Sequence, residues 1–330
     1  MNILVSGYYG FGNIGDEAIL AVLTSHLTEY GHRVTVLSQD PHETKCLHGV
    51  GAVHRTRGVL PALLTTDVLI SGGGGLLQDR TSRRSLLYYL SLIQLAKRIG
   101  KRVIIFGQSI GPLSNRGLQS VVKALTGLPI AVRDRPSQSL LAQYHIEAEL
   151  VADPALLLFG PNQAIDPHPE APVLLIPRDA YPDVTSALTQ VAVALNKKGL
   201  PVATLAFHPE RDEAAVKQIL TSAPETTHLR ATSYREALLH TACARYVISA
   251  RLHGLILAAA CRRGFSGLVY DPKVAAFLDE AGAPAFDLPP DPSSLIRVAL
   301  EQPVPEPQAM TALRSRALRG LAWLDSNLHH

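Results

Sequence analysis

The chain is 330 residues long, 47% hydrophobic and 18% charged, with a formal charge of +3. That length is a prior for two domains with sizeable cores, and the small, scattered positive charge excludes a dense basic surface for nucleic acid. Cys46, Cys243 and Cys261 make neither a C-x-x-C pair nor a zinc spacing, and none of the 13 His falls in an H-E-x-x-H pattern, so neither a disulfide framework, a metal nor another cofactor is expected.

Taken in order, the chain alternates strands and helices. Strands are expected at Asn2–Ser6, Arg33–Ser38, Asp67–Ser71, Arg102–Phe106, Pro129–Val132 and Glu149–Ala152. Helices are expected between them at Asp16–Tyr30, Ser82–Ile99, Leu118–Leu125 and Ser137–Tyr144. Asn162–Pro172, rich in Pro and polar residues, reads as a linker. The alternation then restarts, with strands at Val173–Ile176, Pro201–Phe207, His228–Arg230, Tyr246–Ser249, Ser266–Tyr270 and Ala285–Leu288. Its helices are expected at Thr185–Lys198, Asp212–Thr221, Tyr234–Ala242, Leu255–Arg262, Val274–Ala281 and Ser293–Glu301, before a last one at Ala309–Leu324.

This order predicts an α/β protein of two Rossmann-like domains facing across a cleft, the architecture of GT-B glycosyltransferases. The domains are expected at residues 1–165 and 166–305, with residues 306–330 a C-terminal helix packing back on the first. The N-terminus enters a strand at once, with no signal-peptide pattern. No apolar run approaches the roughly 20 residues that span a bilayer. A cytoplasmic location is expected, compatible with peripheral contact at the inner face of the membrane.

Chemistry-bearing residues collect where strands hand over to helices. Gly10-Phe-Gly-Asn-Ile-Gly15 fits G-x-G-x-x-G, but Asp16 and Glu17 follow at once. A pyrophosphate at that helix start would meet like charge, which disfavours the dinucleotide reading. Asp16 then reads either as a helix cap or as a carboxylate aimed at a hydroxyl. Ser71-Gly-Gly-Gly-Gly75 and Gly107-Gln-Ser-Ile-Gly-Pro112 are two further strand-end turns. Arg133-Asp-Arg-Pro-Ser137 places two guanidinium groups at a strand end, beside a helix with Ser137 as its cap, with pairing to Asp134 as the alternative. Arg251-Leu-His253-Gly254 follows one strand and Lys273 the next. If those strands are neighbours, the three cations share a rim suited to a small, highly charged anion.

In their order, the Gly-Asn-Ile-Gly-Asp-Glu, Ser-Gly-Gly-Gly-Gly-Leu-Leu-Gln-Asp, Gly-Gln-Ser-Ile-Gly-Pro, Arg-Asp-Arg-Pro-Ser and Arg-Leu-His-Gly segments resemble the polysaccharide pyruvyltransferase family, over residues 1 to about 273. The likeness is greatest to the bacterial cell-wall type, which modifies a lipid-linked amino-sugar precursor, such as one bearing N-acetylmannosamine, of a secondary cell-wall polymer that anchors surface-layer proteins. The resemblance implies phosphoenolpyruvate as donor and a pyruvate ketal on two hydroxyls of one sugar as product, with phosphate released. It implies Arg133, His253 and Lys273 at the donor, with Arg251 beside them. Asp16 would face the acceptor, with Asn13, Gly74, Gly75 and Gln108 as further acceptor-side candidates. His253 is the expected acid and Asp16 the expected base. The rival readings are a nucleotide-sugar glycosyltransferase of the same fold and a non-catalytic sugar- or anion-binding protein.

Overall fold

Val68–Ser71 and Val173–Ile176 are buried along their whole length, as parallel strands covered by helices on both faces must be. A computed structural model describes residues 1–160 and 168–329, so most of the expected linker at Asn162–Pro172 lies outside the described residues. Two compact units emerge: Met1–Phe11, Asp16–Pro154 and Arg314–His330 form the first, and Gly12–Gly15 with Ala155–Leu313 the second.

Along the first part of the chain run β1 (Asn2–Ser6), α1 (Ile14–Glu29), β2 (Arg33–Ser38), α2 (Pro41–His48), β3 (Gly51–His54), α3 (Val59–Leu64) and β4 (Val68–Ser71). They are followed by β5 (Gly74–Leu77), α4 (Arg83–Arg98), β6 (Arg102–Ile110), α5 (Asn115–Leu125), β7 (Ile130–Val132), α6 (Arg135–Ala142) and β8 (Glu149–Leu150). The sheet order is β3-β2-β1-β4-β6-β7-β8, with β5 paired to β6. Successive strands leave β1 in opposite directions, through β2 on one side and β4 on the other. That is a topological switch point, and it opens a crevice at the carboxyl ends of β1 and β4. Leu4, Leu69, Val103 and Ile105 of the sheet pack with Leu86, Tyr89, Leu90 and Ile93 of α4.

The second part comprises β9 (Val173–Ile176), α7 (Pro182–Asn196), β10 (Val202–Leu205), α8 (Pro209–Ser222), β11 (Thr227–Leu229), α9 (Tyr234–Ala242), β12 (Tyr246–Ser249) and α10 (Leu252–Ala260). It continues with β13 (Gly264–Val269), α11 (Pro272–Ala281), β14 (Ala285–Asp287), α12 (Pro292–Glu301) and α13 (Pro307–His329). The order β11-β10-β9-β12-β13-β14 places a second switch point between β9 and β12. Along α13 the buried residues Leu313, Ala317, Leu321, Leu324 and Leu328 recur at helical spacing. Within the first unit, His26 Nε2 meets Asp325 Oδ1 at 2.8 Å and Arg102 donates to the Leu328 carbonyl. Among the described residues, no helix is long and apolar enough to cross a membrane.

Several expected boundaries move, each for a local reason. The strand expected to end at Phe106 continues to Ile110, because Gly107, at φ +65°, absorbs a bulge opposite β7 without ending the ladder. Half of the tetraglycine turn is the short strand β5, parallel to β6. Helix α6 is capped by Asp134, whose carboxylate accepts from Ser137 N at 2.9 Å and Ser137 Oγ at 2.6 Å, not by Ser137 itself. The stretch 251–254 is no separate turn: Arg251 is the cap residue of α10, and Leu252 and His253 begin the helix.

Candidate active site

In the first unit the carboxyl ends of β1 and β4 gather around Tyr9. Its ring is fully buried, and its hydroxyl finds no hydrogen-bond partner among the described residues. Burial, and next the carboxylates of Asp16 and Glu17, push the phenol well above its ordinary pKa. Asp16 is only 6% exposed. It sits so close to Gly74 that a Cβ there would stand 2.6 Å from Asp16 Oδ1, and Gly74 has φ +105°. A side chain at Gly74 would therefore displace the carboxylate and strain the backbone. Glu17 has separate work: Oε1 accepts from Gly10 N at 2.7 Å and Oε2 meets His48 Nε2 at 2.8 Å, which holds the glycine turn shut.

The remaining acceptor-side candidates divide. Asn13 Oδ1 accepts from Gly15 N at 3.1 Å, so Asn13 takes the local capping role considered for Asp16. Gly75 is partly buried in β5. Gln108 is wholly buried and donates to Ser71 O at 3.2 Å and Ser71 Oγ at 2.7 Å, joining β6 to β4. Of the two adjacent tyrosine pairs of this unit, Tyr9 and Tyr89 belong to the core, while Tyr8 and Tyr88 are partly exposed. Tyr8 stacks on Phe11 with ring centroids 4.1 Å apart, and Arg55 lies 4.2 Å from the Tyr88 centroid.

Arg133 is buried in this unit. Its Nε donates to Ser109 Oγ at 2.8 Å, and its Nη1 pairs with Asp153 Oδ2, itself buried. Asp153 is thus the acidic partner seen here, whereas the sequence suggested Asp134 beside it.

In the second unit, β12 and β13 are adjacent and parallel, with Ser249 opposite Gly267. Arg251, His253 and Lys273 therefore follow neighbouring strands onto one rim. Ser249 Oγ accepts from Arg251 N at 3.0 Å and donates to Arg251 O at 2.7 Å, which shapes the strand exit. A Cβ at Gly15, a residue of this same unit, would overlap the His253 imidazole, so only glycine lets that ring occupy its place. Ile14 N donates to Phe207 O at 3.1 Å and fixes the glycine segment there. Lys273 Nζ lies 3.6 Å from Asp271 Oδ2, and Asp271 caps α11. Near the end of β10, burial and then Arg211 and Arg251 lower the pKa of His208.

Arg251 grips Asp212 in two bonds, Nε to Oδ2 at 3.1 Å and Nη2 to Oδ1. Asp212 is fully buried and also accepts from His208 N at 3.1 Å. Asp212→Ala leaves a largely buried guanidinium and an amide without this acceptor, and should cost about 3 kcal/mol of stability. Urea unfolding monitored by circular dichroism checks this; a loss under about 0.5 kcal/mol, the size of an ordinary surface substitution, would mean that Arg251 gains nothing from the pair.

Sequence reasoning passed over Tyr9 as a buried hydroxyl, the partners Asp153 and Asp212, and Arg178 with Tyr270. Arg178 follows β9 and lies 4.2 Å from the Tyr270 ring centroid. Its position two residues past a buried strand was the one available signal.

The sequence pattern of one family, polysaccharide pyruvyl transferase, matches residues 13–272. No curated protein matches the chain in sequence. Among solved structures, Anabaena Alr3699/HepE in complex with UDP-glucose aligns with a TM-score of 0.63 at 12% identity over 99% of both chains. A glycosyltransferase from Rickettsia africae aligns at 0.60 and 13% identity over 99% of this chain and 96% of that one. Methanocaldococcus jannaschii UDP-GlcNAc 2-epimerase, in complex with UDP-GlcNAc and UDP, aligns at 0.60 and 13% over 98% of this chain and 100% of that one. At such identities the likeness is one of fold, that of two Rossmann-like domains as in GT-B enzymes.

Proposed function

The chain belongs to the polysaccharide pyruvyl transferase family and is a transferase, and from that premise we propose that it moves the pyruvyl group of phosphoenolpyruvate onto two hydroxyls of an amino sugar, as a ketal. The acceptor is a lipid-linked precursor of a cell-wall polymer, of the N-acetylmannosamine kind, met at the inner face of the membrane by peripheral contact. The observation that carries this reading is the rim at the ends of β12 and β13, where Arg251, His253 and Lys273 follow adjacent strands. Phosphoenolpyruvate holds a phosphate and a carboxylate within a few atoms, the type of anion that such a group of cations suits. The first unit serves the acceptor and the second the donor.

The chemistry asks for one acid and one base. His253 gives a proton to the methylene carbon of the donor, which makes its neighbouring carbon electrophilic. A sugar hydroxyl adds there while Asp16 takes its proton. The bond to the phosphate oxygen breaks, and the second hydroxyl closes the ring. Of the two hydroxyl protons, one replaces that given to the methylene and the other leaves on phosphate, so the balance closes without a redox partner.

Phosphate release from phosphoenolpyruvate with candidate amino-sugar acceptors tests this, with mass measurement of the product. The expected result is release that depends on the acceptor, and a product heavier by one pyruvyl ketal. Thermal stabilisation by a sugar nucleotide and none by phosphoenolpyruvate would overturn it in favour of a glycosyltransferase.

A further inference from the structure

Arg133 and Arg251 each have a buried carboxylate to answer their charge. Arg178 does not: among the described residues its guanidinium meets no carboxylate, and the contacts recorded for it are to aromatic rings. It lies 4.2 Å from the centroid of Tyr270 and 5.6 Å from that of Tyr181, and those two rings are 5.6 Å apart. All three side chains are partly exposed, so the group is braced yet open to solvent.

Its place in the sheet gives this meaning. Arg178 leaves β9 and Tyr270 leaves β13, and β12 runs between them. Ile176 is opposite Ser249, and Ala250 N donates to Ile176 O at 2.8 Å. Reaching from β9 to the ring beyond β13 spans two strand spacings, about 10 Å. The Arg178 and Tyr270 side chains cover that span between them, from the two strands that flank β12, whose end leads to Arg251 and His253 at the start of α10.

Resting on the reading of the donor as phosphoenolpyruvate, we infer that Arg178 is the group that holds the donor's carboxylate. A guanidinium kept against a tyrosine ring retains its planar fork of N–H donors. That fork matches a carboxylate conjugated with the donor's flat double bond, in a bidentate pair. Lys273 remains for the phosphate, which is tetrahedral and makes no demand for a planar partner. Tyr270 is the positioning residue: it sets where the guanidinium lies and touches no reacting atom.

Calorimetric titration of phosphoenolpyruvate into the full-length protein tests the assignment without an acceptor. The wild type should bind. Arg178→Ala should weaken binding about 10- to 100-fold, the range for a lost charge-assisted pair. Arg178→Lys keeps the charge and loses the fork, and should weaken it by about tenfold. Tyr270→Phe keeps the ring and should match the wild type, whereas Tyr270→Leu should not. Binding by Arg178→Ala or Arg178→Lys equal to wild type would overturn the inference. A wild type that fails to bind phosphoenolpyruvate overturns the donor assignment itself, so the two failures are told apart by the first titration.

Discussion

His253→Ala should lower turnover at saturating phosphoenolpyruvate by about 10²–10⁴-fold, the range that one general acid supplies. The reason is positional. His253 stands in the first turn of α10, at the carboxyl edge of a sheet whose neighbouring strands bring Arg251 and Lys273. Its ring is partly exposed, and the alanine that replaces it favours the helix, so the melting temperature should hold. Phosphate release is the measurement. Near-normal turnover at saturating donor would reduce His253 to a phosphate ligand, whose loss raises KM alone. Gly15→Ala offers an independent check, because its new Cβ would push on the imidazole from within the same unit. It should lose part of the same activity while leaving every reacting group in the chain.

Asp16→Asn should cost a comparable factor of about 10²–10⁴ in turnover, with KM for the donor little changed. Asparagine has the same shape and cannot accept the hydroxyl proton. The substitution suits a buried position next to Gly74, where a larger group would collide. Tyr9 beside it is unsuited to take over as base: it is buried, and the nearby carboxylates raise its pKa further, so its hydroxyl stays protonated. Intact turnover in Asp16→Asn would leave Asp16 as a first-turn residue that favours the helix dipole and nothing more. The opposite effects of the two variants on mechanism, one removing the acid and one the base, predict that the double variant falls little below the worse single one, since residues acting as a unit are not additive.

Much of the scaffold was legible along the chain because parallel strands buried on both faces must be apolar throughout. Val173–Ile176 and Tyr246–Ser249 were placed to the residue for that reason. The region from Pro41 to Leu64 was not: α2, β3 and α3 are short and lack a clear apolar rhythm. Glycine misled at two places. Gly107 and Gly74 read as chain reversals, yet β6 runs through the first as a bulge and β5 begins at the second. A glycine permits a turn without requiring one, and only pairing with another strand decides.

The candidate site divides along the same line. That Asp16, Arg133, Arg251, His253 and Lys273 stand where strands end is a property of local sequence, because apolar run, polar exit and helix follow one another within a few residues. Which of their charges are already answered is not local. Asp153 is 20 residues from Arg133, and Asp212 is 39 residues from Arg251. The strand order β10-β9-β12-β13 carries Asp212 to Arg251 and Arg178 to Tyr270, and the fold alone sets that order. By itself, then, the sequence determined the alternation of elements, the strand-end position of each charged residue, and the motifs of the family. The tertiary structure decided which of these cations are neutralised by buried partners and that Arg178 is held on an aromatic face, because strand order brings together residues that are far apart along the chain.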